Sequence, residues 1–184
     1  ASPEDVNRAY DYAGDTYDYL FRAFARDGID GGGGTLIARV HSTSTSCPNA
    51  FGGTGGTEFC NGVVTDDIVA HEFGHGLTGF TAGLIYQNQS GQLNESFSDV
   101  IGEIVDLLNG DAAFPGAPGG TPWTPSGSGS GTDTPNSLRT GCGSGVRWLN
   151  AEDATGFGGA IRDMWQPSCM GDPDTANHPF QTCS

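Results

Sequence analysis

Two periods of apolar residues alternate along the first 110 positions, and the changes from one to the other divide the chain into elements. Ser2, Pro3, Glu4 and Asp5 read as a helix start, with a serine cap, proline at the first helical position and a carboxylate three residues after the cap. Val6, Tyr10, Ala13, Tyr17, Leu20, Phe21 and Phe24 then keep helical spacing, which predicts a long amphipathic helix stopped by Gly28. Thr35 to His41 alternates with β-type residues and predicts a strand. A second helix is predicted from about Thr65 to Leu77, with Thr65 as cap, Asp66 and Asp67 in the first turn, and Ile68, Val69 and Phe73 for the core. A third runs from Asn94 to Asn109, where Phe97, Val100, Ile101, Ile104, Val105 and Leu108 form a stripe, and Gly110 ends it. The glycine runs at 31–34 and 52–56 read as loops. Residues 110–145 are Gly, Pro, Ser and Thr with almost no period, which predicts a loop insertion within the domain. Ala151 to Trp165 keeps neither period and receives no assignment.

Composition bounds the partners. The 184 residues, 35% of them hydrophobic, suit one domain (1–184) around one main core. Twenty-two acidic residues face seven arginines and no lysine, for a net charge of −15. A field of that sign repels phosphate, so nucleic acid and anionic membranes are excluded as partners, while solubility in salt or calcium binding is favoured. No stretch approaches the ~20 apolar residues of a membrane span, and no basic start leads into an apolar run, so Ala1 reads as the start of a mature or trimmed chain. The five cysteines form no CxxC pair. Disulfides in an exported protein are the better reading, Cys47 with Cys60 and Cys142 with Cys169, at roughly 3 kcal/mol each in the chain-entropy model. Other pairings stay open at this level.

The second predicted helix contains His71-Glu72-Phe73-Gly74-His75. Residues four apart on a helix share a face about 6 Å apart along the axis, so both imidazoles can reach one metal ion. Glu72, about 100° around the helix, can address a water at the metal without ligating it. With four histidines in the chain, the expected number of chance HExxH matches is roughly 0.003. Asn94-Glu95-Ser96-Phe97-Ser98-Asp99 follows, with Glu95 as an anionic third ligand 20 residues after His75. A His2Glu set leaves the fourth zinc position open, the catalytic arrangement and not the closed structural one. Asp99, one turn on, can accept the free ring N–H of a ligating histidine and fix its tautomer.

On these motifs the chain resembles the thermolysin family of zinc peptidases. TAGLIYQNQSGQLNESFSD (Thr81 to Asp99), YAGDTYDYL near the start, CPNAF (Cys47 to Phe51) and IRDMWQPSCMGDPD (Ile161 to Asp174) carry the resemblance, which covers most of residues 10–109 and then 160–174. It implies an α+β, zincin-like catalytic domain in which the HExxH helix and the following Glu-bearing helix pack beside a small β-sheet. It further implies a zinc endopeptidase cleaving before bulky apolar residues, with His71, His75 and Glu95 as ligands and Glu72 as base. Tyr86 becomes a donor to the developing oxyanion. Asn49 and Ala50 bind the substrate backbone, Ile68 and Ile161 line the pocket for the residue after the cleaved bond, and Arg162 holds a substrate carbonyl while buttressing the site. Asp67 and Asp106 align with calcium ligands of the family.

The resemblance has breaks. Gly52 stands where an aromatic usually follows the Asn-Ala-Phe motif. The family's later histidine is expected just past Ser184, and its C-terminal helical lobe has no evident counterpart. These breaks imply either a partial catalytic domain joined to a second polypeptide, with the odd Cys183 as the link, or a zinc-binding module without turnover. A zinc aminopeptidase shares HExxH and a distal Glu, but no anchor for a substrate amine is recognisable. The peptide-cleaving readings all imply a secreted, extracellular protein.

Overall fold

The computed structural model describes residues 3–44, 46–109, 149–151, 153–164 and 167–172. The predicted insertion, Cys142 and Cys183 lie outside them.

Helix α1 spans Pro3–Phe24, with Glu4 and Asp5 at its positive end and Arg22 at its negative end, each complementing the helix dipole. It stops earlier than predicted. The chain turns into the left-handed region at Ala25 (φ 52), and the Arg26 amide closes back on the Leu20 carbonyl at 3.2 Å. The buried face also differs from the predicted stripe: Ala9, Tyr12, Thr16, Tyr19 and Leu20 turn inward, while Val6, Tyr10, Phe21 and Phe24 are exposed. Two sets of apolar residues keep helical spacing on this helix, and the set interrupted by the small Ala9 and Thr16 is the one that packs inward.

Three short strands follow: β1 (Ala38–Ser42), β2 (Ala50–Gly53) and β3 (Gly56–Cys60). Their order is β1-β3-β2, with β1 parallel and β2 antiparallel to β3. β1 starts later than the predicted strand, and its far end is tied to α1 by His41 Nε2, 2.7 Å from Asp5 Oδ2. The glycine run at 52–56 is not a free loop. It forms the ends of a hairpin in which Gly52 pairs with Thr57 and Gly53 with Gly56. Alternation in β3 buries Thr57 and Phe59. The expected Cys47–Cys60 disulfide forms, with Cα atoms 5.7 Å apart, and fastens the approach to β2 onto the end of β3.

Helices α2 (Asp66–Phe80) and α3 (Asn88–Asn109) complete the body. Ile68, Val69, Ala70 and Phe73 of α2 join Leu20, Phe59, Val63 and Val105 in the core. Burying a side chain such as Phe73 is worth about 1.5–3 kcal/mol. α3 begins at Asn88, a turn and a half before the predicted Asn94, so Glu95 sits well inside the helix and not in its first turn. Its inward face is mixed: Asn94, Ser98, Asp99, Glu103 and Asp106 are buried with Val105, and Ile101, Ile104 and Leu108 of the predicted apolar stripe pack against the core, while Phe97 is exposed. α3 approaches α2 closely. A Cβ at Gly102 would lie 2.6 Å from the Asp67 carbonyl oxygen.

The segment without a sequence assignment, 151–165, supplies β5 (Arg162–Asp163), which pairs with β4 (Leu149–Asn150) just before the segment, and a 3-10 turn at Pro167–Met170 follows it. No described helix is long and apolar enough to cross a membrane.

Candidate metal centre

α2 and α3 cross so that the HExxH turn faces Glu95. Glu95 Oε2 lies 3.3 Å from His71 Nε2, and Oε1 lies 3.5 Å from His75 Nε2. The two imidazoles stand nearly perpendicular, with centroids 4.7 Å apart. Among the described residues, this is the one trio of His, Cys, Asp or Glu whose ligand atoms all lie within metal-binding distance, 4.8 Å, of one another. Zinc bonds of about 2.0–2.1 Å at tetrahedral angles put neighbouring ligand atoms roughly 3.3–3.4 Å apart, so this donor set fits zinc.

Each ligand is held from behind. Asn94 Oδ1 lies 2.7 Å from His75 Nδ1, and Ser98 Oγ is 3.2 Å from the same atom. An N–H at Nδ1 donating to Asn94 leaves the Nε2 lone pair for a metal. Asp99 Oδ1 lies 2.8 Å from His71 Nδ1, as an ion contact off the line of an ideal hydrogen bond. Asp99 also accepts from Arg162 at both oxygens, 2.8 Å from Nε and 2.6 Å from Nη2. Arg162 donates as well to Asn150 Oδ1 at 3.1 Å.

Burial sets the protonation chemistry. Desolvation opposes a charge on His71, but the Asp99 and Glu95 carboxylates outweigh it and push its pKa up to about 9 in the absence of metal. Burial pushes Glu72 up to about 7. Burial also opposes ionisation of Glu95 and Asp99, yet the His71 ring beside each, with Arg162, holds both below the usual carboxylate range.

The ligands open on a cleft of about 780 Å³, lined by Asn49, Ala50 and Gly52 of the edge strand and its approach, and by Ile68, Glu72, Ile161 and Arg162 on the other sides. The anticipated residues therefore share one cleft. Tyr86 is there too, at its rim and 65% exposed; its hydroxyl donates to Glu95 Oε1, and its ring packs edge-on to His75 at 5.8 Å. Asn94, Asn150 and Phe157, with no role expected from sequence, also line the cleft. Asn94 has a signal, standing next to Glu95. Phe157 lies in the stretch without periodicity, and Asn150 stands just before it.

The catalytic-domain model of the thermolysin metallopeptidases matches residues 3–79, and the model of that family's α-helical domain matches residues 82–119 directly after it. The chain belongs to the thermolysin metallopeptidase family. It is 40% identical over 129 residues to a zinc metalloproteinase of Renibacterium salmoninarum, covering 61% of this chain and 24% of that protein. It is 43% identical over 108 residues to an extracellular metalloprotease of Pectobacterium carotovorum subsp. carotovorum, covering 54% of this chain and 31% of that protein. Among solved structures, the precursor of protealysin, a metalloproteinase from Serratia proteamaculans, superposes with a TM-score of 0.53 at 34% identity, over 64% of this chain and 42% of that one. The chain thus spans about a quarter to a third of the length of these curated relatives.

In this thermolysin-family chain the two matches meet between α2 and α3, so the helix bearing Glu95 falls in the α-helical domain and the two histidines in the catalytic one. Asp67, aligned with a calcium ligand of the family, is hydrogen-bonded within the chain. Its Oδ1 accepts from Thr65 Oγ1 at 2.5 Å and the Ile68 amide at 2.7 Å, and its Oδ2 accepts from the Ala151 amide. Asp106 is buried on α3, and among the described residues no trio at metal-ligand spacing includes either residue.

Proposed function

We propose that this chain carries the zinc site of a secreted endopeptidase that hydrolyses peptide bonds before bulky apolar residues. The observation that carries the reading is the convergence of His71, His75 and Glu95, with ligand atoms within 4.8 Å of one another, in a cleft that Glu72 also lines. Zinc held there would polarise a carbonyl and acidify water.

The chain's own groups do the rest. Burial raises Glu72 to about 7 in the metal-free site, and from its place in the cleft lining it is the group to accept a proton from water and return it to the leaving amine. Asp99 keeps the His71 Nδ1 side occupied and its Nε2 directed at the ligand cluster, and the Arg162 fork holds Asp99 in place. The edge of β2, with Asn49 and Ala50, offers backbone groups to an extended peptide. Tyr86, already on Glu95 at the rim, can turn its hydroxyl to an oxyanion growing beside the ligands. Ile68 and Ile161 make the cleft apolar on the side that would take the following side chain. The disulfide and the extracellular metalloprotease among the relatives support secretion.

The test is Glu72→Gln, assayed for bound zinc and for casein hydrolysis with and without chelator. Zinc retained with cleavage abolished is the expected result. Undiminished chelator-sensitive cleavage in the variant would remove Glu72 from the reaction.

A further inference from the structure

Two unfavourable features meet at the end of β4. Ala151, a residue with a side chain, stands in the left-handed region at φ 65. Beside it Asn150 is 1% exposed, and its Nδ2 donor is buried with no hydrogen-bond partner among the described residues. Strained backbone and unsatisfied buried donors concentrate where a fold holds a group in place for function. The backbone here is anchored on both sides. The Ala151 amide donates to Asp67 Oδ2 in the first turn of α2, and the Asn150 carbonyl accepts from the Ile161 amide at 2.9 Å. These anchors set the Asn150 side chain in the cleft lining, with its Oδ1 3.1 Å from Arg162 Nη2.

A guanidinium carries N–H donors and no acceptor, so the amide oxygen of Asn150, and not its NH2, has to face it. Arg162 gives its Nε–H to Asp99 Oδ2 at 2.8 Å and shares Nη2 between Asp99 Oδ1 at 2.6 Å and Asn150 Oδ1. Asp99 stands on α3 and Asn150 on β4, so the guanidinium is held from two elements. Its Nη1 has no hydrogen-bond partner among the described residues. We propose that Asn150 is a positioning residue that acts through Arg162: by accepting the second Nη2–H it fixes the plane of the guanidinium and keeps the Nη1 pair unused for the carbonyl of a bound peptide. The carbonyl rests on the endopeptidase reading, whereas the hold on Arg162 can be measured without it. A planar donor fixed before binding loses little freedom when the substrate arrives, which is the advantage that offsets the strained Ala151 and the unpartnered Nδ2.

The experiment uses the full chain with Asn150→Leu, which removes the acceptor at similar size, and Asn150→Asp, which keeps an oxygen for Nη2 and deletes the unpartnered donor. Asn150→Ala replaces the leucine variant if that one does not fold. In the metal-free protein, heteronuclear NMR follows solvent exchange of the Arg162 Nε–H, assigned by its loss in Arg162→Lys. Asn150→Leu should speed that exchange by ~10-fold, the order of one hydrogen bond to a charged group, and Asn150→Asp should stay within ~3-fold of wild type. In the zinc-loaded protein, kcat/KM for one peptide should fall by ~10-fold in Asn150→Leu at unchanged zinc content and recover in Asn150→Asp, and adding Asn150→Leu to Arg162→Ala should cause no further fall. Equal losses in the leucine and aspartate variants overturn the proposal and make Nδ2 the working group. An Asn150 effect that persists undiminished without Arg162, or an unchanged exchange rate in Asn150→Leu, overturns it and leaves Asn150 as packing. If zinc-loaded wild type cuts no peptide while the exchange rates change as expected, the endopeptidase reading fails and the hold of Asn150 on Arg162 is upheld.

Discussion

Gly52 offers a direct test of how the edge strand and the catalytic helix are coupled. Its Cα rests on the backbone of α2: a methyl group added there would lie 2.0 Å from the Glu72 carbonyl oxygen, 2.6 Å from the carbonyl carbon and 2.7 Å from Cα. Real Cβ atoms keep at least 3.0 Å, and the obstacle is helix backbone, so in Gly52→Ala the strand has to retreat by about 1 Å, the difference between 3.0 and 2.0 Å. Overpacking of this kind costs about 1–3 kcal/mol of stability. The functional effect should be larger, because a peptide lying on β2 retreats with it while Glu72 stays on α2. A misplacement of ~1 Å between reacting groups costs about 100-fold in rate. His71, His75 and Glu95 are carried by α2 and α3, so zinc content should not change. The assay is kcat/KM on a peptide substrate, beside zinc content after dialysis and a thermal melt. Activity equal to wild type, or activity and zinc lost in parallel, would refute the argument that β2 registers substrate against Glu72.

Two further outcomes follow from the surroundings of the ligands. Asp99→Asn removes the charge facing His71 and the acceptor of Arg162, and zinc affinity measured by competition with a chelating indicator should fall by about 10–100-fold. An affinity equal to wild type would mean that Asp99 serves only Arg162. In the metal-free protein the folded-state pKa of His71 is raised from 6.5 to about 9, so its contribution to stability is complete below 6.5 and is lost as pH rises through 9. Thermal melts of the apo protein should therefore fall between pH 7 and 9, while zinc affinity, which needs the unprotonated ring, should rise across the same window.

The ligand trio is legible because it obeys local rules: two histidines one turn apart, then a glutamate in a helix that the following apolar run marks, though that helix starts at Asn88 and not at Asn94. What surrounds it is less so, and for a common reason. Periodicity locates the core by looking for apolar stripes, but α3 turns Asn94, Ser98, Asp99 and Glu103 inward and leaves Phe97 outside. The polar part of α3 faces His71 and His75 of α2, while Ile101, Ile104, Val105 and Leu108 of the stripe pack on the core. On α1 two apolar stripes competed, and nothing local distinguishes the one that α2 and β1 cover. The hairpin reads as loop in the sequence because glycine carries no strand signal. Its glycines are required by close packing: Gly52 against Glu72, and Gly76, whose Cβ would lie 2.8 Å from the Gly53 carbonyl oxygen. Asn150 and Phe157 reach the cleft only through the short ladder and the Gly62–Gly156 contact, pairings between residues far apart in sequence.

The same polar interface explains why the site is costly to build and what a metal does for it. Glu72, Glu95 and Asp99 converge between α2 and α3 with Arg162 as the permanent cation beside them. Without metal the remaining charge is met in two ways, both visible in the pKa directions: His71 keeps a proton to about 9, and Glu72 keeps one to about 7. Those protons are stand-ins for a cation. A divalent ion held by His71, His75 and Glu95 would take the place of the His71 proton and offset the carboxylate charge, so the arrangement that burial penalises in the apo protein would be the one that binding favours. Because the histidines lie in the part matching the catalytic domain and Glu95 in the part matching the α-helical domain, that selection acts across the α2–α3 interface. An ion that binds only the assembled pair stabilises the helix packing by its own binding free energy, and that linkage offsets the cost of a polar seam where a core would otherwise be apolar.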